Sequence, residues 1–120
     1  MTTDVIALCR TRPEGEAQVA ALQAAGPDFQ VASWQDTPVI LLLDENERIV
    51  LAVDGARLLQ VPGEVRRLLG PSAPDVGEAV WWVEIRASSA YDGAAAAARR
   101  LASTLVEHHG GAVWPSEAVG

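Results

Sequence analysis

Alternation of hydrophobic and polar positions predicts most of the strands in this chain. Because successive side chains of a strand point to opposite faces, a period of two residues indicates a strand with one buried face. Gly, Pro and acidic turn residues separate these runs. The predicted strands cover residues 5–9, 29–35, 39–43, 48–53, 80–87 and 112–114, and residues 56–61 fit either a further short strand or an extended loop. The third and fourth runs flank the polar turn DENE and predict a β-hairpin in which Ile49, Leu51 and Val53 share one face.

Apolar residues at helical spacing predict three helices. The first lies between a Pro-containing start near residue 11 and a Gly-Pro stop at residues 26–27. The second is short, lies within residues 62–70, and has a one-sided apolar face formed by Val65, Leu68 and Leu69. The third is the longest, from about residue 91 to residue 108, and contains an alanine run with high helix propensity.

The order strand, helix, strand occurs at both ends of the chain and predicts the fold. Two such units that share one sheet give an α+β, ferredoxin-like α/β sandwich with a mostly antiparallel sheet of five or six strands. Two main helices lie on one face, and the short helix is the third. A compact α+β roll of another topology is the alternative. We expect one domain over residues 1–120, with an N-terminal part to about 70, a linker at 71–77 and a C-terminal strand-helix-strand part at 78–115.

Composition and charge narrow the range of partners. Of the 120 residues, 49% are hydrophobic and 21% charged, which is typical of a folded domain. The formal net charge of −7 argues against nucleic acid and anionic membranes as partners, because both bind basic surfaces. It is compatible with a basic protein partner. The alternative is that acidity only keeps the domain soluble. The sequence shows no membrane-length apolar run and no basic start of a signal peptide, so we expect a cytoplasmic protein.

The residue types that most often act in catalysis or metal binding have simpler structural interpretations in this sequence. Cys9 is the only cysteine and lies in an apolar strand pattern, which predicts a buried thiol. His108 and His109 are adjacent, so their side chains diverge by roughly 100° on a helix and do not form the i, i+4 pair of a zinc helix. The acidic residues 44–47 lack calcium-loop spacing and predict a solvated hairpin turn. We therefore predict no catalytic residue, no metal site and no cofactor.

Two adjacent tryptophans, Trp81 and Trp82, lie on opposite faces of the most regular predicted strand. Trp81 shares one face with Val83, Ile85 and Ala87; this set is uniformly apolar, so we expect it to pack against the helices. Trp82 shares the other face with Val80, Glu84 and Arg86, a mixed set. Tryptophan and arginine are enriched at binding hot spots. The predicted partner-binding residues are therefore Trp82, Glu84, Arg86 and Trp34; the alternative is that Trp82 packs under a loop or at a dimer contact.

Several segments resemble a known family. They are DVIAL at residues 4–8, LLQVPGEVRRLLG at residues 58–70 and VWWVEIRA followed by GGAVWP within residues 80–115. These segments resemble the N-terminal region of an uncharacterised actinobacterial domain family found near type VII secretion loci. The resemblance spans most of the chain and carries no catalytic signature. It implies a bacterial cytoplasmic protein tied to secretion or to toxin and immunity traffic, and it transfers no functional residues.

Together these features predict a non-catalytic, acidic protein-binding module. The most specific form of this hypothesis is an immunity protein that neutralises a cognate secreted toxin, with a basic toxin or a secretion substrate as partner. A type VII secretion accessory or chaperone-like domain is one alternative. A small-molecule-binding ferredoxin-like domain, or a small enzyme that uses Trp82, Arg86 and His108, is another. A homodimer is compatible with all of them.

Overall fold

Seven strands form one sheet in which every described pair of neighbours is antiparallel. The computed structural model describes residues 2–13, 15–26, 28–33, 36–60, 63–71, 73–74 and 79–115. The elements in chain order are β1 Thr2–Cys9, α1 Gly15–Ala25, β2 Gln30–Ser33, β3 Ile40–Leu43, β4 Ile49–Val53, β5 Arg57–Leu59, α2 Glu64–Leu69, β6 Val80–Ser88, α3 Ala94–His109 and β7 Gly111–Trp114. The α+β class and the mostly antiparallel sheet are confirmed. The described chain has seven strands instead of five or six because the ambiguous segment forms β5.

The strand order explains how the two ends of the chain share one sheet. It runs β2-β3-β4-β6-β1-β7, and β5 also pairs with β6. β6 therefore pairs with β1 from Trp81 to Ser88 on one side, and with β4 and β5 on the other. β1 in turn lies between the two C-terminal strands β6 and β7. The strands of the predicted N-terminal and C-terminal parts are thus interleaved.

The larger core lies between the sheet and the two long helices. It contains alternate residues of the central strands and the apolar faces of α1 and α3, and its fully buried members include Val5, Ala7, Cys9, Leu22, Val83, Ile85, Leu101 and Leu105. The prediction that Val83, Ile85 and Ala87 face the helices is confirmed. Trp81 packs against the margin of this core and is only partly buried.

A second, smaller core lies on the opposite face of the sheet. Its buried residues are Ile6, Leu8, Val80 and Trp82, and the side chains that pack over them are Leu59, Val65, Leu69, Ala112 and Trp114. The short helix α2 thus lies on the face that α1 and α3 do not occupy. Val65 and Leu69 are one turn apart and reach this core, whereas Leu68 lies about 100° from Leu69 on the helix and is 47% exposed. The prediction that Leu68 belongs to the packed face is wrong.

The turn between β3 and β4 is built around a buried carboxylate. Asp44 is only 5% exposed, and its Oδ1 accepts hydrogen bonds from the backbone N–H groups of Asn46 at 2.8 Å and Arg48 at 2.9 Å. The hydrogen bond from the Arg48 backbone, with those from Asn46 and the Arg48 guanidinium, holds the pKa of Asp44 below its ordinary value. The prediction of a fully solvated turn is therefore wrong at Asp44.

A register shift at the same hairpin changes which residues are buried. Leu42 pairs with Leu51 but Leu43 pairs with Ile49, so Val50 is an extra residue on β4. A bulge of this kind turns two successive side chains towards similar sides. Val50 and Leu51 are both buried, while Ile49 is 43% exposed. The predicted common face of Ile49 with Leu51 and Val53 is therefore wrong at Ile49.

Close approach of two backbones fixes the start of β7. Gly111 has φ of 113°, a conformation that residues with a Cβ rarely adopt. A Cβ at this position would overlap the carbonyl oxygen of Leu8 on β1. Only glycine therefore allows β7 to pair with β1 directly after α3.

Two sequence predictions fall partly or wholly outside the described residues. Trp34 lies outside them, and the predicted linker at residues 71–77 is described only at residues 71, 73 and 74. Within the described parts of the chain, no helix has the length and apolar character needed to cross a membrane.

Candidate interaction face

Half of the sheet face opposite α1 and α3 carries exposed or half-exposed side chains. The register places Asp4 of β1 and Ala52 of β4 on either side of Arg86 in β6. Glu84 and Asp54 lie next to them, and Leu43 and Ile49 lie farther out on β3 and β4. We call this surface the open face, formed by Asp4, Leu43, Ile49, Ala52, Asp54, Glu84 and Arg86. It adjoins the second core at Trp82.

Arg86 is the centre of a small charge cluster on the open face. Its Nη2 lies 3.0 Å from Oε2 of Glu84 and 3.5 Å from Oδ2 of Asp54. The hydrogen bond with Glu84 and then the charge of Asp54 raise the pKa of Arg86 above its ordinary value. Asp4, directly opposite in register, adds a third carboxylate. One guanidinium among three carboxylates leaves the cluster with a net negative charge.

Apolar side chains border the charged cluster. Ile49 is 43% exposed, and Leu43 and Ala52 are partly exposed. The two kinds of surface are adjacent because Ala52 pairs with Arg86 on one side and with Leu41 of β3 on the other. Protein interfaces combine apolar contact area with polar groups; the apolar part is usually central, whereas here it borders the charged cluster. The open face thus combines apolar contact area with an excess of negative charge.

The predicted partner-binding residues are separated by the fold. Glu84 and Arg86 lie together on the open face, with side chains 22% and 51% exposed. Trp82, two residues earlier on the same side of β6, is only 5% exposed beneath β5 and α2. This burial does not fit the prediction that Trp82 contacts a partner. The alternative placed a loop over Trp82, and in the structure the covering side chains come from α2 and from strands of the sheet. The indole Nε1 of Trp82 is enclosed and has no hydrogen-bond partner among the described residues.

Five residues of the open face are absent from the predicted site: Asp4, Leu43, Ile49, Ala52 and Asp54. Asp4 alternates with Ile6 and Leu8 along β1, so its face could have been read from the pattern of that strand. Asp54 follows β4, and its proximity to Glu84 depends on the pairing of β4 with β6. Ile49 is exposed because of the bulge, for which the sequence has no signal. Long-range pairing therefore accounts for Asp54, and the bulge accounts for Ile49.

Cys9 and His109, two potentially reactive side chains, lie in positions that indicate structural roles. Cys9 is fully buried, and burial raises the pKa of its thiol to about 11. A thiol with this pKa holds little thiolate near neutral pH. Nδ1 of His109 lies 3.0 Å from Oγ1 of Thr11, which connects the end of α3 to the segment after β1.

The two adjacent histidines diverge at the end of α3. The rings of His108 and His109 are 6.5 Å apart between centroids and inclined by 61°. Among the described residues, no group of three or more His, Cys, Asp or Glu side chains is placed to hold a metal ion.

Comparison of the chain with protein-family models, with curated proteins and with solved structures finds no match. Function is therefore inferred from the geometry of the open face and from the sequence.

Proposed function

We propose that this chain is a non-catalytic protein-binding domain whose open face binds a basic surface of a folded protein. The observation that carries this proposal is the cluster of Asp4, Asp54 and Glu84 around Arg86, next to the exposed Ile49. Opposite charges speed encounter and select the partner, while the apolar margin contributes contact area. The net charge of −7 acts in the same direction over a longer range.

The specific form of the proposal is an immunity protein that covers the active-site cleft of a secreted toxin in the cytoplasm of the producing cell. The resemblance to a type VII secretion-associated family and the small, acidic chain support it. Toxins that act on nucleic acids have basic clefts, because their substrates carry phosphate charges. A secretion accessory domain that recognises a secreted substrate is the alternative, and it would bind a secretion signal in place of a folded toxin.

We also propose that the fold is a ferredoxin-like sandwich extended by a hairpin. Two features support this. β1 and β4 lie on either side of β6, and β6 and β7 lie on either side of β1, as in two split strand-helix-strand units. α1 and α3 both pack on one face of the sheet. β2 and β3 then form the extension beyond β4.

The function is tested with the products of genes that neighbour the coding sequence. Each is co-expressed with this chain, and binding is measured with purified proteins at micromolar concentration. We expect one of them to be toxic alone, to be neutralised by this chain, and to bind it. Replacement of Asp4 by Lys should weaken binding by at least about tenfold, because attraction becomes like-charge repulsion.

The matched control is Glu107→Lys, which makes the same kind of charge change at an exposed position on α3. This variant should bind as tightly as the parent chain. Equal losses in both variants would show that only net charge matters and would contradict the role of the open face. If no neighbouring gene product binds, the immunity proposal is wrong.

A further inference from the structure

A cleft lies at the end of the sheet where β1 leads into α1, away from the open face. Its volume is about 340 Å³, which is within the size of small-molecule sites. It is lined by Arg12, Gln18 of α1, Ser33 of β2, Ile40 of β3 and the loops at residues 37–39 and 55–56. None of its described lining residues is a carboxylate, although the chain as a whole is strongly acidic.

Gln18 is the observation that indicates a ligand. It is only 4% exposed, and its side-chain amide has no hydrogen bond to the described residues. Burial of an amide without hydrogen bonds is unfavourable. The polar atoms of its amide are not fully enclosed by the described protein atoms, unlike Nε1 of Trp82. The residue also lines the cleft. The amide therefore faces the cleft, where a molecule with polar groups would satisfy both its donor and its acceptor.

Positive charge lies beside this amide. The guanidinium carbon of Arg12 lies 5.3 Å from the centre of the Trp81 ring, and Arg12 forms no ion pair with any described residue. Stacking on the indole holds the guanidinium in place while its N–H groups remain available. The helix α1 begins three residues later. Its first-turn N–H groups favour negative charge, and the exposed carboxylate of Glu16 in the same turn opposes it.

We propose that this cleft binds a small organic molecule bearing an oxyanion, either a carboxylate or a phosphate monoester. Arg12 contacts the oxyanion, and the Gln18 amide forms hydrogen bonds with a neighbouring polar group of the ligand. The apolar part of the molecule rests against Ile40 and Ala56. The cleft shares no residue with the open face, so a test of this ligand site is independent of the proposed protein partner.

The test is a titration of the full chain, followed by ¹H–¹⁵N NMR, with benzoate, phenyl phosphate, inorganic phosphate and neutral benzyl alcohol. We expect saturable shifts in the millimolar range for at least one of the two aromatic anions. The shifts should include the indole N–H of Trp81 and the side-chain amide of Gln18, and the indole N–H of Trp82 should not move. The stronger of the two responses distinguishes a carboxylate ligand from a phosphate monoester.

Two variants assign the binding to this cleft. Arg12→Gln should weaken binding by about tenfold or more, the usual scale for losing a hydrogen bond to a charged group. Gln18→Leu should remain folded, because it removes an unpaired buried amide, and should also weaken binding. Arg66→Gln, at an exposed position on α2, is the matched control and should bind like the parent chain.

Three results would overturn the proposal. They are the absence of saturable shifts with either aromatic anion, an equal response to benzyl alcohol, and unchanged affinity in Arg12→Gln. Inorganic phosphate that binds as tightly as phenyl phosphate would also contradict it, because the apolar part of the ligand would then contribute nothing.

Discussion

Replacement of Trp82 by Ala tests whether this residue belongs to the second core. Trp82 is 95% buried, since it is 5% exposed, and five side chains from β5, α2 and β7 pack over the cluster it belongs to. A buried Trp removes about 150–250 Å² from water, which at about 25 cal/mol per Å² corresponds to about 4–6 kcal/mol. That figure is an upper bound because unfolded chains are partly compact. We therefore expect Trp82→Ala to lower the free energy of unfolding by about 3–5 kcal/mol.

Two further variants separate the contributions of volume, position and polarity. Trp81→Ala makes the same chemical change one residue earlier, where the ring is only partly buried, and should lower the free energy of unfolding by about 1–2 kcal/mol. Trp82→Phe should lower it by less than about 2 kcal/mol, because the lost area is offset by removal of an indole N–H that has no partner among the described residues.

The measurement is urea denaturation of all three variants and the parent chain, followed by far-UV circular dichroism because the substitutions change tryptophan fluorescence. A Trp82→Ala variant within about 0.5 kcal/mol of the parent would refute the second core, since such small effects are typical of surface positions. A loss well above about 2 kcal/mol in Trp82→Phe would show that the indole N–H is satisfied in solution.

Three other predictions test the remaining structural claims. Gly111→Ala should lower the free energy of unfolding by about 3 kcal/mol, because its Cβ overlaps Leu8, whereas Gly93→Ala, also at positive φ but in open space, should lower it by about 1 kcal/mol in the same denaturation assay. Asp44→Asn should be less stable than the parent well above pH 3.8, and the difference should disappear as the pH falls through the lowered pKa of Asp44; a pH-independent difference in melting temperature would contradict this. Cys9 should resist a thiol reagent at neutral pH until the protein unfolds, because it is buried with a pKa of about 11, and rapid labelling of the native chain would exclude that burial.

Predictions from local pattern succeeded where the two faces of an element differ in polarity. The two sides of β6 were assigned correctly because one is uniformly apolar and the other is mixed. The sequence failed at Ile49 because a bulge shifts the alternation by one residue, and at Leu68 because a six-residue helix leaves little periodicity to read. Local pattern also could not show that α2 lies over Trp82, since that contact joins segments distant in sequence.

The sequence contains a signal for the cleft residue Gln18. It lies four residues before Leu22 and seven before Ala25, both of which are buried in α1. This spacing places Gln18 on the packed face of the helix. A polar residue at an otherwise apolar helical position predicts either a buried hydrogen bond or a ligand. The cleft around Gln18 could not be predicted, because it is formed by loops whose arrangement does not follow from residue spacing.

The position of β6 determines when the sheet can assemble during synthesis. β1 is made first, yet both of its partner strands, β6 and β7, begin at Val80 or later. The strands β2, β3 and β4 can pair with one another early, but only β6 joins them to β1. A nascent chain that ends before Val80 therefore carries β1 with both edges unpaired, a state open to aggregation. We expect the fold to form late and through contacts between distant segments, which is the slow regime of folding.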